Sequence, residues 1–331
     1  MSMATHSLSY FVKPPSGNVP TRTALIFLIP GNPGLIDYYE PFLSSLALLL
    51  ESSDASKSTQ FQVYGQDLAG FNDLDHKPFS SSRPPRDVEY QIKHLLGVLS
   101  SVRVQEGINK GEPYDDVILM GHSVGSYMAV ELFHRLLRAP ESAPHLHLKT
   151  GFMLFPTIEH IAHSPSGTRL NLLKRTPIVG RNAHLIAKGF LFLWPYVALH
   201  WFVSTILGFP QHAATVTTNF LKSRDGVWQA LYMGMDEMEV IGEDTWDEEL
   251  WEIADEAHAH HKSPPKFYFF FGNNDHWVAS HLRDAFIVKR DKQVDRTKVM
   301  VDEGDLPHAF CIKHSKIVAE KVRGWINETY A

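Results

Sequence analysis

The sequence is short of several things, and each shortage excludes something. It holds a single cysteine, Cys311, so no disulfide can close within the chain. The stretch Met1–Tyr10 is polar and lacks both the cationic and the apolar part of a secretory signal. Together these two features predict an intracellular protein. The final residues, Glu328–Ala331, match neither a peroxisomal nor a prenylation signal. There is no Lys/Arg-rich block. With 31 basic against 37 acidic residues the net charge is −6 at pH 7, which argues against a nucleic-acid partner. A chain of 331 residues can bury a large core, as one α/β domain with an insertion or as two domains.

What is present begins with strand patterns. Leu8–Val12 alternates enough for an edge strand, and Pro14–Gly17 ends it. Ala24–Ile29 is an unbroken apolar run of strand length, as expected for burial on both faces of a parallel sheet. Further strands are predicted at Phe61–Tyr64, Asp116–Met120, Thr150–Phe155, Lys266–Phe271 and Thr297–Val301. Helical spacing fills Tyr38–Leu50, Asp87–Val102, Ser126–Phe133, Ala279–Phe286 and about Ile312–Glu328. Between the first of these helices and the Phe61 strand, Ser52–Thr59 reads as a polar surface loop. Strand and helix alternate, which predicts a doubly wound, mostly parallel sheet.

The chemistry starts at Gly121-His122-Ser123-Val124-Gly125, set between an apolar strand and a helix. Gly-x-Ser-x-Gly in that setting is the nucleophile elbow of an α/β-hydrolase, which lifts the serine hydroxyl to where a base can reach it. Such a site also needs two backbone N–H groups for an oxyanion. Val124, next after the serine, supplies one. The other belongs to an earlier strand-to-helix loop, here Pro30-Gly31-Asn32-Pro33-Gly34. Proline has no N–H, which leaves Gly31, Asn32 and Gly34. Asn32 holds the position used in His-Gly-x-Pro versions of this loop.

A serine hydroxyl needs a base, and the base needs a carboxylate. In this fold the order along the chain is Ser, then Asp or Glu, then His. Asp275 follows the strand Lys266–Phe271 and a Gly-Asn-Asn turn, at the strand end where Ser123 also lies. His308 lies after the last strand and before the last helix. The assignment is therefore Ser123, Asp275 and His308. His314 is the reserve base, and Asp302 and Asp305 are the reserve acids. His122 precedes the acid and so has the wrong order, while His276 adjoins the acid and should point away. No metal site is expected, because the clustered His258, His260 and His261 lack a His-Glu-x-x-His or cysteine companion. No cofactor motif is found.

From 157 to 263 the strand pattern disappears, so this stretch reads as a helical insertion into a core formed by 1–156 and 264–331. It has three zones. His160–Lys188 carries Arg169, Lys174, Arg175, Arg181 and Lys188 and no acid. Gly189–Leu221 has no charged residue, and its most apolar part is about 189–207. Asp236–Glu256 holds eleven carboxylates and no Lys or Arg, and reads as a solvated helix face with Trp246, Leu250, Trp251 and Ile253 turned inward. The middle zone nearly reaches the ~20 residues of a membrane span. A span would separate strands that must share one sheet. That leaves a lid over the pocket, a hairpin bent at Pro195 that dips into lipid, or an ordinary buried helix pair.

The segment Ile29-Pro-Gly-Asn-Pro-Gly34 with Tyr38, Tyr39 and Phe42, the elbow Gly121-His-Ser-Val-Gly-Ser-Tyr127, Gln91 with His94, the turn Gly272–Asp275 and Pro307-His-Ala-Phe310 together resemble the lipid droplet-associated hydrolase family. The resemblance runs over nearly the whole chain. It implies an α/β-hydrolase fold and a Ser-Asp-His triad falling on Ser123, Asp275 and His308. It also implies association with lipid droplets or the endoplasmic reticulum through the hydrophobic insertion, and hydrolysis of lipid esters such as triacylglycerols, sterol esters or simpler acyl esters. Acyl transfer on the same residues, a droplet-surface protein without catalysis, and a cytosolic esterase are the alternatives.

Overall fold

The computed structural model describes residues 5–243, 246, 250, 265–290 and 297–331. Seven strands form one sheet in the order β1-β3-β2-β4-β5-β6-β7. They are β1 Ser7–Phe11, β2 Arg22–Ile29, β3 Thr59–Gln66, β4 Asp116–His122, β5 Leu148–Leu154, β6 Lys266–Phe271 and β7 Thr297–Val301. The edge strand β1 runs antiparallel to β3, and every other pairing is parallel.

The strands are apolar on both faces because both faces are covered. Along β2, Leu25, Phe27 and Ile29 enter one core, while Ala24, Ile26 and Leu28 enter the other. The alternation repeats in β6, where Phe267, Phe269 and Phe271 face one side and Tyr268 and Phe270 the other. A period of two residues on a doubly covered sheet gives a continuous apolar run. Each fully buried Leu, Ile or Phe among them is worth about 1.5–3 kcal/mol against exposure.

One face is covered by α1 (Glu40–Glu51) and the C-terminal helix, and the other by α2 (Val88–Ser101) and α3 (Val124–Arg138). Asp87 caps α2 by accepting from the Tyr90 N–H at 2.7 Å. The C-terminal helix is not continuous. A short α10 (Phe310–Lys313) breaks at His314 before α11 (Ser315–Thr329). The predicted surface loop Ser52–Thr59 also differs: Asp54–Lys57 is a 3-10 turn, and Ser53, Ala55, Ser56 and Thr59 are buried. The turn is tied to α11, where Asn327 Oδ1 accepts from the Ser53 hydroxyl and from the Ala55 N–H at 3.4 Å.

Between β5 and β6 the chain leaves the sheet and forms α4 (Pro165–Arg175), α5 (Pro177–Phe192), α6 (Tyr196–Trp201, continued by a π-turn Phe202–Ile206), α7 (Gln211–Lys222) and α8 (Gly226–Val240). After β6 comes α9 (Ser280–Arg290). The α8 residues Met233 and Met238 join the same core as β2 and β4, so this helix is built into the body of the protein.

The structure excludes one of the three readings of the uncharged zone and changes the expectation for the acidic one. The uncharged zone is not a buried helix pair. Asn182–Phe192 and Tyr196–Ile206 meet at a 101° bend, and Phe192, Leu193 and Val197 are 83%, 76% and 78% exposed. Among the described residues no single helix is long and apolar enough to cross a membrane. Nor is the start of the acidic zone a solvated face. Glu239 and Glu243 are exposed, but Glu237 is buried, because it sits on the inward stripe of α8 with Met233 and Gly234. Trp246 and Leu250 do turn inward, while Trp251, Ile253 and His258, His260 and His261 lie outside the described residues.

Candidate active site

Ser123 stands between β4 and α3 with φ +54°. A serine in the left-handed region is strained, and such strain persists only where the surroundings enforce it. Here the two flanking glycines enforce it. A Cβ on Gly121 would come within 2.4 Å of the Gly125 carbonyl oxygen, and one on Gly125 within 2.3 Å of the Ile29 oxygen. The turn is therefore wedged between its own helix and β2, and only hydrogen fits at either position.

Three loops at the C-terminal ends of the parallel strands bring the remaining groups together. His308 Nε2 lies 2.9 Å from Ser123 Oγ, and His308 Nδ1 lies 2.6 Å from Asp275 Oδ2. A carboxylate only accepts, so Nδ1 carries the proton and Nε2 presents its lone pair to the serine. The other Asp275 oxygen accepts the Trp277 N–H at 2.8 Å. Burial alone would raise the Asp275 carboxyl, but the bond from His308, its nearby imidazole and the Trp277 N–H together hold it below the usual carboxylate range. The reserve residues are elsewhere. Asp302 accepts from the Gly304 and Leu306 N–H groups, Asp305 accepts from Asn274, and His314 sits at the helix break. His276 turns away to Ser166, with Nδ1 2.8 Å from the hydroxyl.

The loop at Gly31–Gly34 lies beside the elbow, since a Cβ on Gly31 would be 3.0 Å from that of Ser123. The Gly31 N–H is already donated to the Tyr39 hydroxyl at 2.9 Å. That removes Gly31 from the candidates for the second oxyanion donor and leaves Asn32 and Gly34. Val124 is the first residue of α3, where N–H groups have no intrahelical acceptor. The Asn32 side chain is held away from the loop, its Nδ2 donating to the Ala230 carbonyl at 2.9 Å and to Glu237 Oε1 at 3.0 Å.

His122, set aside as a base, has a different place. It is buried, with Nδ1 2.6 Å from the Tyr39 hydroxyl and Nε2 2.9 Å from the His308 carbonyl oxygen. Burial, with the neighbouring His308, pushes its imidazole down to about 3, so it is neutral. Its partner Tyr39 stood in the sequence only as part of the Tyr38–Tyr39 pair after the Pro-Gly loop.

Ser123, His308, Asn32 and Glu237 border one cavity of about 520 Å³. Phe209 and Phe220 from the α6–α8 region and Ile312 from α10 give it apolar walls. A concave apolar chamber with a few convergent polar groups is the usual form of a small-molecule site. One group of possible metal ligands occurs among the described residues, Asp73, His76 and Asp225. Their oxygens already accept the Arg224, Asp225 and Phe79 N–H groups, and the Arg224 guanidinium bonds Asp225. That cluster is filled by the protein's own cation.

The family model for lipid-droplet associated hydrolases matches residues 22–311. The lipid droplet-associated hydrolase of Rattus norvegicus is 29% identical over 311 residues, covering 92% of this chain and 84% of the rat protein. Among solved structures, a carboxylesterase of the thaumarchaeon Nitrososphaera gargenis superposes with a TM-score of 0.53 at 13% identity, covering 99% of this chain and 96% of its own. A haloalkane dehalogenase variant from Bradyrhizobium elkanii reaches 0.55 at 15% identity, covering 98% and 97%. An esterase and a dehalogenase cleave different bonds, so these two likenesses establish the α/β-hydrolase fold and nothing narrower.

Proposed function

The chain belongs to the lipid-droplet associated hydrolase family, and from that premise we propose that it is a serine ester hydrolase acting on lipid esters at a droplet surface. The observation that carries this reading is the continuous string Asp275–His308–Ser123 at the floor of an apolar cavity. Ser123 Oγ attacks the acyl carbonyl while His308 Nε2 takes its proton. Asp275 fixes the tautomer and stabilises the imidazolium. The carbonyl oxygen, now negative, receives the N–H groups of Val124 and Asn32. His308 then protonates the departing alcohol, and a water activated by the same nitrogen releases the acid. The apolar walls suit an acyl chain.

The bent pair α5–α6 supports the location. Phe190, Phe192, Leu193, Val197 and Trp201 are all exposed along it, a clustering of large apolar side chains of the kind that marks a contact surface. It is held to α7 by the Tyr196 hydroxyl, which donates to Asn219 Oδ1 at 2.9 Å, and by Lys222 on the Leu191 carbonyl. Arg169 and Arg175 are exposed nearby in sequence, whereas Lys174 is drawn to Glu239 and Lys188 to the Arg224 carbonyl, which leaves fewer cations for lipid headgroups than the sequence suggests.

The test is labelling with a fluorophosphonate probe. The intact chain should label covalently and Ser123→Ala should not. Labelling that survives Ser123→Ala, or an intact chain that never labels, would overturn the reading.

A further inference from the structure

The inner face of α8 has no role in the reaction just described, yet it grips the loop that supplies one of its donors. Ala230, Gly234 and Glu237 stand at i, i+4 and i+7 on one side of that helix, and all three meet Asn32. Asn32 Nδ2 donates to the Ala230 carbonyl at 2.9 Å and to Glu237 Oε1 at 3.0 Å. A Cβ on Gly234 would stand 3.3 Å from that same nitrogen. The amide nitrogen thus sits in a socket made by a carbonyl, a carboxyl and the space of a missing side chain, while Asn32 Oδ1 is buried without a hydrogen-bond partner.

We propose that this α8 socket sets the oxyanion loop, and that Glu237 is its positioning residue: by holding the Asn32 side chain it aims the Asn32 N–H at the developing negative charge. The inference rests on the reading of Ser123 as nucleophile and adds a residue to it. Three features support the assignment. Glu237 is 4% exposed and borders the cavity that Ser123 opens into. An acid at an inward position is costly unless it has a task or a proton. Burial pushes Glu237 up to about 8, so near neutral pH it is a carboxylic acid and grips Asn32 without placing a negative charge beside the oxyanion. Finally, the Asn32 backbone is fixed on its other side by Gly31, whose N–H is tied to Tyr39. With the side chain anchored by α8 and the preceding residue by Tyr39, the direction of the Asn32 N–H has little freedom left.

The experiment measures the second-order rate of fluorophosphonate labelling, together with kcat and KM on a soluble ester, in Glu237→Gln, Glu237→Leu and Gly234→Val. Gln keeps an acceptor for Asn32, and its labelling should stay within about threefold of the unaltered protein. Leu keeps the bulk and loses the acceptor, so labelling and kcat should fall about tenfold to a hundredfold with KM little changed. Rescue by Gln and a fall confined to kcat are not what a purely structural acid would give. Should Glu237→Leu fail to fold, Gly234→Val decides, because its methyl groups enter the space of Asn32 Nδ2 from a helix that keeps its carboxyl; it should lose labelling similarly. A folded Glu237→Leu or Gly234→Val protein that labels like the unaltered one overturns the socket. An unaltered protein that does not label at all overturns the nucleophile reading, a separate result.

Discussion

The hydroxyl of Tyr39 stands 2.6 Å from Nδ1 of His122 and also accepts the Gly31 N–H. Burial holds this phenol well above its usual range, so it keeps its proton and donates it to the imidazole. His122 then has one N–H left, Nε2–H, and gives it to the His308 carbonyl. Three loops are tied through two side chains. Tyr39→Phe leaves both the Gly31 N–H and His122 Nδ1 unsatisfied in a buried place, so unfolding in urea should show a loss of about 1–3 kcal/mol. An unchanged midpoint would mean that water replaces the hydroxyl at no cost.

Asp275→Asn should separate geometry from charge. The amide has nearly the same shape, but it can donate to Nδ1 and turn the His308 tautomer so that Nε2 no longer accepts from Ser123. Ester hydrolysis should drop by roughly 10³–10⁴ while the fold stays intact. Stopped-flow acylation with a chromogenic ester reads this, and a fall below about tenfold would assign the acid elsewhere.

The exposed apolar bend predicts a split between binding and chemistry. Phe192→Ser, Leu193→Ser and Val197→Ser combined remove side chains that face outward, so the core should be untouched. Flotation with emulsified triacylglycerol should lose about tenfold or more in bound protein, and hydrolysis of a soluble short-chain ester should hold. Equal losses in both assays would place these residues in the cavity's upkeep instead.

Glu237 also makes stability depend on pH in a defined direction. In the unfolded chain a glutamate titrates near ~4.3, and in the folded protein Glu237 rises to about 8. Between those values the folded state holds a proton that the unfolded state has lost. Its favourable contribution is therefore complete below the lower value and lost as pH rises through the window, at up to about 1.4 kcal/mol per unit. Glu237→Gln has no such proton. Melting temperatures of the two proteins should diverge from pH 5 to pH 8 in favour of the glutamine form, and parallel curves would show that the carboxyl is solvated.

The sheet was readable from sequence because burial on both faces writes each strand as an unbroken apolar run. Ala24–Ile29 and Phe267–Phe271 are the plainest cases. Ser123, Asp275 and His308 were nameable because chain order and strand ends constrain them, and the structure places the three within hydrogen-bond reach. Position along the chain could not reveal partners from distant segments. Chain order excludes His122 as the base, yet it joins Tyr39 to the His308 loop. Glu237 stands within an acidic run, although Met233, Gly234 and Met238 mark its stripe as the inward one. Ser53 and Ser56 looked solvated because small polar residues carry no pattern that distinguishes a surface from a tight contact.

The seat of Asn32 on α8 bears on how this enzyme family could be re-engineered. Segments between sheet strands invite exchange, since grafting a cap from one relative onto another is a direct way to change what it accepts. Here such a graft would also swap the Ala230, Gly234 and Glu237 face, and with it the contacts that hold the Asn32 side chain. Recombination would have to carry Asn32 and its helix as one cassette, although they lie 198 to 205 positions apart in the chain.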